Sequence, residues 1–479
     1  MDYTNPDVYV QDIASGASPI QQASSTIGVM IGATRSGLVG EAQLIGSFTE
    51  YIQLYANGLE TPFMENSDLT YAVHGFFTNG GKQLYIIRVA SSTAKKALKT
   101  LTVNAGLDIT AKYEGVAGNS ISVEIKKNED WVATTNELFD VIVSVGTSDN
   151  VIIPEVTIDN IVDTINKNVK AKEWIVASKN AEVWDELAEE KVTLEGGADG
   201  VSDLNDSDYS DALEAISTLD DATFVAIPGQ TSSVLNSAIL AYCDEHKLFP
   251  LLDMPVGSTV KETKEYRKSI SANGGALLYP WGYMNDPLTN TLRLTPCAGH
   301  VMGVYSRIIA SRGVHKAPAG TEADVKGFVS MEKTLTSSDV SVLNPVGVVC
   351  IQPRPNAGIV VWGARALTSD PTMRYVSDVL INYTIKKSLY NGTQFAIFEP
   401  NDENLWSRVK ATCEALLESM RLDGSLKGEA SEAYYVTVDS SNNTNSSIAN
   451  GLLNVEIGYS PVKPAEFIVI KLAHVMQSA

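Results

Sequence analysis

The chain has 479 residues, 44% of them apolar and 19% charged, an ordinary globular composition too long for a single growing hydrophobic core, so about two to four domains are expected. Its 57 acidic residues outnumber 36 basic ones for a net charge of −21, which repels phosphate backbones and excludes direct nucleic-acid binding. No apolar run reaches the roughly 18 residues of a membrane span, so no membrane insertion is expected.

The N-terminus, Met1-Asp-Tyr-Thr-Asn-Pro, lacks the basic region and apolar core of a signal peptide. Residues 1–22 read as an extended arm, because Pro6 and Pro19 oppose helix and Val8-Tyr9-Val10 is a short β-prone run with little nearby to bury it. Such an arm is either a frayed terminus or a strand that pairs with another subunit. Residues 23–90 read as an α/β segment: a strand at Thr26–Ala33, helices at Ser47–Tyr55 and Asp68–Thr78, and a strand at Gln83–Val89. Residues 91–195 change to alternating β segments, Leu101–Thr110, Ser120–Lys126 and Phe139–Val145, and read as an inserted β-rich domain that is peripheral and faces outward. Glu195-Gly-Gly-Ala-Asp-Gly200 is linker chemistry.

From 196 to 355 helix and strand alternate. Helices are expected at Asp208–Leu219 and Ser232–His246, and short strands at Phe224–Ile227, Pro250–Asp253 and Ala276–Tyr279, which implies a mostly parallel sheet with helices packed on it. The last region, 356–479, contains the clearest helix, Asp402–Arg421, with Leu405, Val409, Cys413, Leu416, Leu417 and Met420 in one apolar stripe and Arg408, Lys410, Glu414 and Glu418 on the other face. The terminal run Glu466–Leu472 is apolar on both alternating faces, so as a strand it must be buried on two sides, in its own sheet or in a neighbour's.

Little of this looks like an active site. Cys243, Cys297, Cys350 and Cys413 lie far apart in sequence and read as buried free thiols of a protein made in a reducing cytoplasm. None of the five histidines has another histidine three or four residues away, so the paired-histidine spacing of a helical metal site is absent. No Gly-x-Ser-x-Gly elbow, phosphate loop or Gly-x-Gly-x-x-Gly occurs. No catalytic, cofactor-binding or metal-binding residue is therefore expected. The one enzymatic alternative is a hydrolase-like α/β protein using His300, which sits in the glycine-rich stretch Ala298-Gly-His-Val-Met-Gly303; the plainer reading is a histidine that hydrogen-bonds loop backbone. Asp203, Asp206, Asp208 and Asp211 lack the glycine and glutamate of a calcium loop and read as a solvated linker with helix-capping aspartates.

Several stretches, in order, resemble the contractile tail sheath proteins of myovirus-type phages and related injection systems such as R-type bacteriocins. They are Val360-Val-Trp-Gly-Ala-Arg365, Phe398-Glu-Pro-Asn-Asp402, Asn450-Gly-Leu-Leu-Asn454 and Pro461-Val-Lys-Pro-Ala-Glu-Phe467. Phe76-Phe77-Thr78-Asn79-Gly80-Gly81-Lys82 is similar to the family's N-terminal segment. The resemblance implies an α/β multidomain protein: a C-terminal sheath core with exchanged terminal strands, a subtilisin-like middle domain without a catalytic triad, and an inserted β-rich domain. It implies a structural subunit that polymerises helically, in stacked six-fold rings, around a tail tube and contracts to drive the tube through a host envelope for genome delivery. The implied partners are further copies of the chain, the tail tube protein, and baseplate and tail terminator proteins; no cofactor is implied. The implied place is the virion tail, assembled in the host bacterial cytoplasm. Strand exchange would fall to Val8, Tyr9 and Val10 and to Phe467, Ile468, Val469 and Ile470. The family's C-terminal domain lies at the inner radius, which makes Arg408, Lys410, Glu414 and Glu418 candidates to face the tube.

Overall fold

A computed structural model describes residues 20, 22, 26–56, 61–104, 106–128, 137–146, 149–180 and 187–471. The chain divides into two compact units, one of residues 24–380 and one of residues 1–23 with 381–479.

The larger unit begins with β1 (Gly28–Gly32), β2 (Ala42–Ile45), α1 (Phe48–Tyr55), α2 (Leu69–Thr78) and β3 (Leu84–Arg88). Ser47 caps α1 by accepting the Glu50 N–H, as a serine before an apolar run should. The chain then leaves for an insertion comprising β4 (Lys96–Thr100), β5 (Leu107–Glu114), β6 (Ile121–Lys127), β7 (Phe139–Val145), β8 (Asp149–Val156), α3 (Ile161–Lys167), β9 (Ile175–Lys179) and β10 (Glu190–Thr193). These strands form two antiparallel sheets, β10-β6-β7-β8 and β4-β5-β9. Alternate residues such as Ile121, Val123, Ile125, Val141 and Val143 point into the insertion's own core. The alternating stretch Leu101–Thr110 is not one strand. Its middle turns, because the Glu190 carboxylate takes the backbone N–H groups of Thr102, Val103 and Asn104 and so removes them from any ladder. Entry and exit of the insertion touch: the Ser91 hydroxyl donates to the Gly200 carbonyl at 2.7 Å, and Lys95 pairs with Ala198.

The remainder supplies α4 (Asp206–Ala212), β11 (Phe224–Ala226), α5 (Ser233–His246), β12 (Phe249–Asp253), α6 (Val260–Ser269), β13 (Ala276–Tyr279), β14 (Gly282–Asn285), β15 (Leu292–Thr295), α7 (Ala298–Arg312), β16 (Phe328–Met331), α8 (Ser337–Leu343), β17 (Val348–Arg354) and β18 (Gly358–Trp362). The helix expected to continue from Asp208 to Leu219 is shorter: α4 ends at Ala212 and a 3-10 turn carries the chain to Ile216. Asp208 accepts the Asn205 N–H in a capping box, Asp206 accepts the Ser232 hydroxyl and Asp203 that of Thr93, so these aspartates are spent on local structure.

One eight-stranded sheet organises this unit, in the order β18-β17-β13-β12-β11-β1-β3-β2. Its inner neighbours from β17 to β3 are parallel; β18 and β2 are antiparallel edges. The segment 23–90 and the region 196–355 thus share a sheet, and the division drawn between them does not separate two cores. The division at 355/356 likewise falls in the β17–β18 hairpin, where Arg354 pairs with Gly358. Helices cover both faces. On one side Val29, Ile87, Val225, Leu277 and Val348 meet Tyr209 of α4, Leu235 of α5 and Leu343 of α8. On the other, Phe224 and Phe249 meet Tyr305 of α7, with ring centroids 6.1 and 6.3 Å apart. Buried on two sides, the central strands are apolar throughout, Phe249–Asp253 and Ala276–Tyr279 being buried at every residue.

Helices α2 and α7 cross at close range. A Cβ on Gly299 would lie 2.4 Å from the Ala72 carbonyl oxygen, and one on Gly303 2.3 Å from that of Phe76. The N-terminus of α7 is held by the buried Asp253, which accepts the Cys297 and Ala298 N–H groups at 2.9 and 3.0 Å. Burial pushes the Asp253 pKa up to about 7 against the pull of those donors.

The smaller unit holds most of α9 (Val376–Gly392), then α10 (Glu403–Leu422), α11 (Ala430–Ala433), β19 (Tyr434–Thr437), α12 (Asn445–Ala449) and β20 (Glu456–Tyr459). Strands β19 and β20 pair antiparallel as a two-stranded sheet, too small to stand without support. Helix α10 packs on it, with Tyr434 donating its hydroxyl to Glu418.

Candidate assembly surface

Helix α10 starts where the sequence predicts. The Asp402 carboxylate accepts the N–H groups of Asn404 and Leu405 at 3.0 and 2.9 Å. Leu405, Val409, Cys413, Leu416, Leu417 and Met420 are all buried along one face. Trp406 and Thr412 widen that stripe, and the Trp406 indole N–H is satisfied by the Asn401 side chain at 2.7 Å. An amphipathic residue such as Trp406 gives no periodic signal, so the wider stripe was not visible in the sequence.

On the opposite face Arg408, Lys410, Glu414 and Glu418, the candidates to face a tube, each make a contact within the chain. The Arg408 guanidinium lies over the Phe395 ring at 5.0 Å, and Lys410 sits 3.9 Å from Glu414. Glu418 accepts two hydrogen bonds from Arg421, at 2.8 and 2.7 Å, and one from Tyr434 at 3.1 Å. The Arg421 bonds, helped by Tyr434, hold the Glu418 carboxyl below the usual range. Three- and four-residue spacing along a helix brings such charges within reach of each other before any partner arrives.

The same unit contains an apolar groove of about 890 Å³. Ile385 and Leu389 of α9, Val409 and Cys413 of α10, and Ile457 and Tyr459 of β20 are among its walls. At its rim Tyr390 and Ile397 are 70% and 55% exposed. Phe398, fully exposed, has a φ of +66°, a conformation uncommon for a bulky side chain. The chain's terminal run is equally uncovered. Phe467, Ile468, Val469 and Ile470 are 73 to 85% exposed and belong to no strand of their own chain. The burial on two faces that this run demands is absent within one subunit. Val8, Tyr9 and Val10 lie outside the described residues.

His300 also departs from expectation. The stretch Ala298–Gly303 is the first part of α7, not a loop, and its glycines serve the crossing with α2. The imidazole is fully buried, stacked on Phe328 with centroids 4.1 Å apart and pressed against Gly75. Neither ring nitrogen has a hydrogen-bond partner among the described residues, so it is neither oriented by backbone nor coupled to a nucleophile. Burial, with a lesser contribution from His74, pushes its pKa down to about 3. All four cysteines are free and buried. Among the described residues there is no cluster of three or more metal-ligating side chains, and no helix long and apolar enough to cross a membrane.

The phage tail sheath protein central domain matches residues 204–367, and the phage tail sheath C-terminal domain continues without a gap over residues 368–473. The chain belongs to the phage tail sheath family. The groove, α10 and the exposed terminal run all lie within the matched C-terminal domain. Among curated relatives, the chain is similar to the tail sheath protein of Escherichia phage P2, 19% identical over 52% of this chain and 62% of that protein. It is also similar to the tail sheath protein of Burkholderia phage BcepMu, 22% identical over 45% of this chain and 47% of that protein. The chain thus spans between 47% and 62% of the length of the curated relatives it matches. Its fold is that of solved sheath proteins over nearly all its length. A sheath tail protein from Listeria innocua superposes with a TM-score of 0.64 at 14% identity, covering 89% of this chain and 90% of the other. The helical sheath of the anti-feeding prophage in its contracted state gives a TM-score of 0.60 at 19% identity, covering 98% and 99%.

Proposed function

We propose that this protein is the structural subunit of a contractile sheath, a phage tail or a related injection system, which polymerises helically around a tail tube and shortens to drive the tube through a host envelope. The observation that carries this reading is the apolar run Phe467–Ile470, exposed in the single chain within a domain of the sheath family. Four consecutive apolar residues left in water favour partner association. In the assembly they would add to the small β19–β20 sheet of a neighbouring copy, with Val8-Tyr9-Val10 exchanged at the other end of the chain. Main-chain hydrogen bonds then hold subunits together while their linkers act as hinges.

A contact between unlike patches of identical subunits propagates into a helix instead of closing. Contraction would be a collective passage from a trapped extended lattice to a more stable one, with energy stored at assembly. Six-fold rings, partnership with tube, baseplate and terminator proteins, assembly in the host cytoplasm and an outward-facing insertion complete the proposal. The parallel sheet flanked by helices supports a subtilisin-like architecture for the middle domain without its chemistry, since architecture alone implies no activity. The hydrolase alternative loses its only candidate base in the unpartnered, buried His300.

The test is polymerisation of the full chain with its tube protein, followed by negative-stain microscopy. Long sheaths are expected from the wild type. Replacement of Ile468 and Ile470 by aspartate, both exposed in the subunit, should leave folded monomers that do not assemble. Sheaths of normal length from that variant would refute the strand-exchange reading, and a wild-type chain that stays a small oligomer would refute the sheath reading itself.

A further inference from the structure

The groove in the C-terminal unit poses a problem for the free subunit. It is mainly apolar, about 890 Å³ in volume, and belongs to a chain that must remain dispersed until it meets a partner. One feature of α9 identifies what covers it. Ile385, Leu389 and Gly392 follow at intervals of four and three residues, which places Gly392, the last residue of the helix, on the same face as two groove-lining residues. Ile20 lies directly on Gly392: a Cβ there would come within 2.3 Å of the Ile20 side chain, so glycine is what lets the N-terminal segment lie against the helix. The chain therefore enters the described fold along the wall of the groove. Residues 1–19 precede this anchor and include Val8, Tyr9, Val10 and Ile13. At about 3.3 Å per extended residue, the chain from Ile20 back to Val10 reaches about 30 Å.

We propose that in the free subunit this groove is filled by the chain's own N-terminal segment, residues 1–19, and that assembly requires the segment to leave. The proposal rests on the sheath reading above and adds its regulation. An occupant tethered beside its site has an effective concentration in the millimolar range, so a neighbour in dilute solution does not displace it. On a tube, where neighbours are held close, the trade of a contact within the chain for an equivalent contact between chains costs little, as in domain swapping. The same apolar run thus restrains free subunits and links assembled ones.

The test uses the full-length chain as a dilute monomer and a labelled synthetic peptide of residues 1–19. Wild-type monomer should bind the peptide weakly. The triple variant Val8→Asp, Tyr9→Asp, Val10→Asp should bind it at least tenfold more tightly and brighten a dye that reports apolar surface, since its own segment is expelled. Adding Ile397→Asp at the exposed rim should reverse the gain in peptide binding. Equal binding by wild type and triple variant overturns the proposal, because the groove was then open from the start. So does absence of both peptide and dye binding from the two proteins, or a gain that Ile397→Asp leaves untouched. Sheath formation by the same wild-type protein on its tube is scored separately. Normal sheaths with a failed peptide test remove only the restraint, whereas an absence of sheaths removes the reading beneath it.

Discussion

Glu190 shows how one carboxylate can shape a loop. It accepts hydrogen bonds from the backbone of Thr102, Val103 and Asn104 and from the side chains of Thr102 and Asn104. Partial burial raises its pKa, but these donors outweigh burial and bring it from 4.5 down to about 2. Its stabilising contribution is therefore complete above the unfolded pKa of 4.5 and drains away as pH falls toward 2. Glu190→Gln should cost the insertion about 1–3 kcal/mol in urea unfolding at pH 7 and flatten its acid limb between those pH values; an unchanged limb would assign the acid sensitivity elsewhere. His300 shifts in the same direction with the opposite charge. Its folded pKa of about 3 lies below the ordinary 6.5, so the unfolded chain binds the extra proton and stability drops as pH falls from 6.5 toward 3. His300→Phe, which keeps a ring against Phe328, should remove that part of the slope in thermal melts at pH 7 and pH 4.5. Neither role was legible in the sequence. The partners of Glu190 lie 86 to 88 residues away, and a buried histidine with no hydrogen bond looks, as a letter, like a catalytic one.

Among the elements, the α2–α7 crossing has the least tolerance. Gly299 and Gly303 face backbone atoms of α2, which cannot rotate away as a side chain can. Gly303→Ala should destabilise the larger unit by about 1–3 kcal/mol, read as a lowered melting temperature, while Gly46→Ala, whose added methyl would meet only ordinary contacts at 3.6 and 3.9 Å, serves to calibrate the assay. Helix α10 gives an assembly prediction. Reversal of Arg408 and Lys410 to glutamate removes the Phe395 stacking and the Glu414 pair, so a small loss of stability, on the order of 0–1 kcal/mol, should accompany any loss of assembly on the tube. Tube-templated assembly that is unchanged at low and high salt would move the tube contact off this face. The α10 stripe was readable because burial there repeats with the helix. The α7 helix was misread as a loop because Gly299 and Gly303 weaken its propensity, and only the closeness of α2 explains why they are glycine. The strands Phe224–Ala226 and Ala276–Tyr279 were likewise readable as short apolar runs, but their shared sheet with β1 and β3 was not, since 135 residues separate β3 from β11 in sequence.

At the scale of the molecule, that separation is the insertion, and its geometry makes a test of modularity possible. Ser91 and Gly200 are in hydrogen-bond contact, so a short Gly-Ser linker can replace the intervening residues without stretching the sheet. The shortened chain should fold, with one cooperative transition fewer in calorimetry and the remaining one at a melting temperature within a few degrees of the parent. Loss of folding would show that the main sheet depends on the insertion. The closed neck has a further consequence for anyone who would build with this protein. A chain that departs and returns at one point presents a socket: the strand order β3-β1-β11 is indifferent to what is hung between β3 and α4, provided the ends of the substitute lie a hydrogen bond apart. A binding module grafted there would recur at every lattice point of a sheath, in a regular array whose avidity follows from the spacing of the helix instead of the strength of any single site.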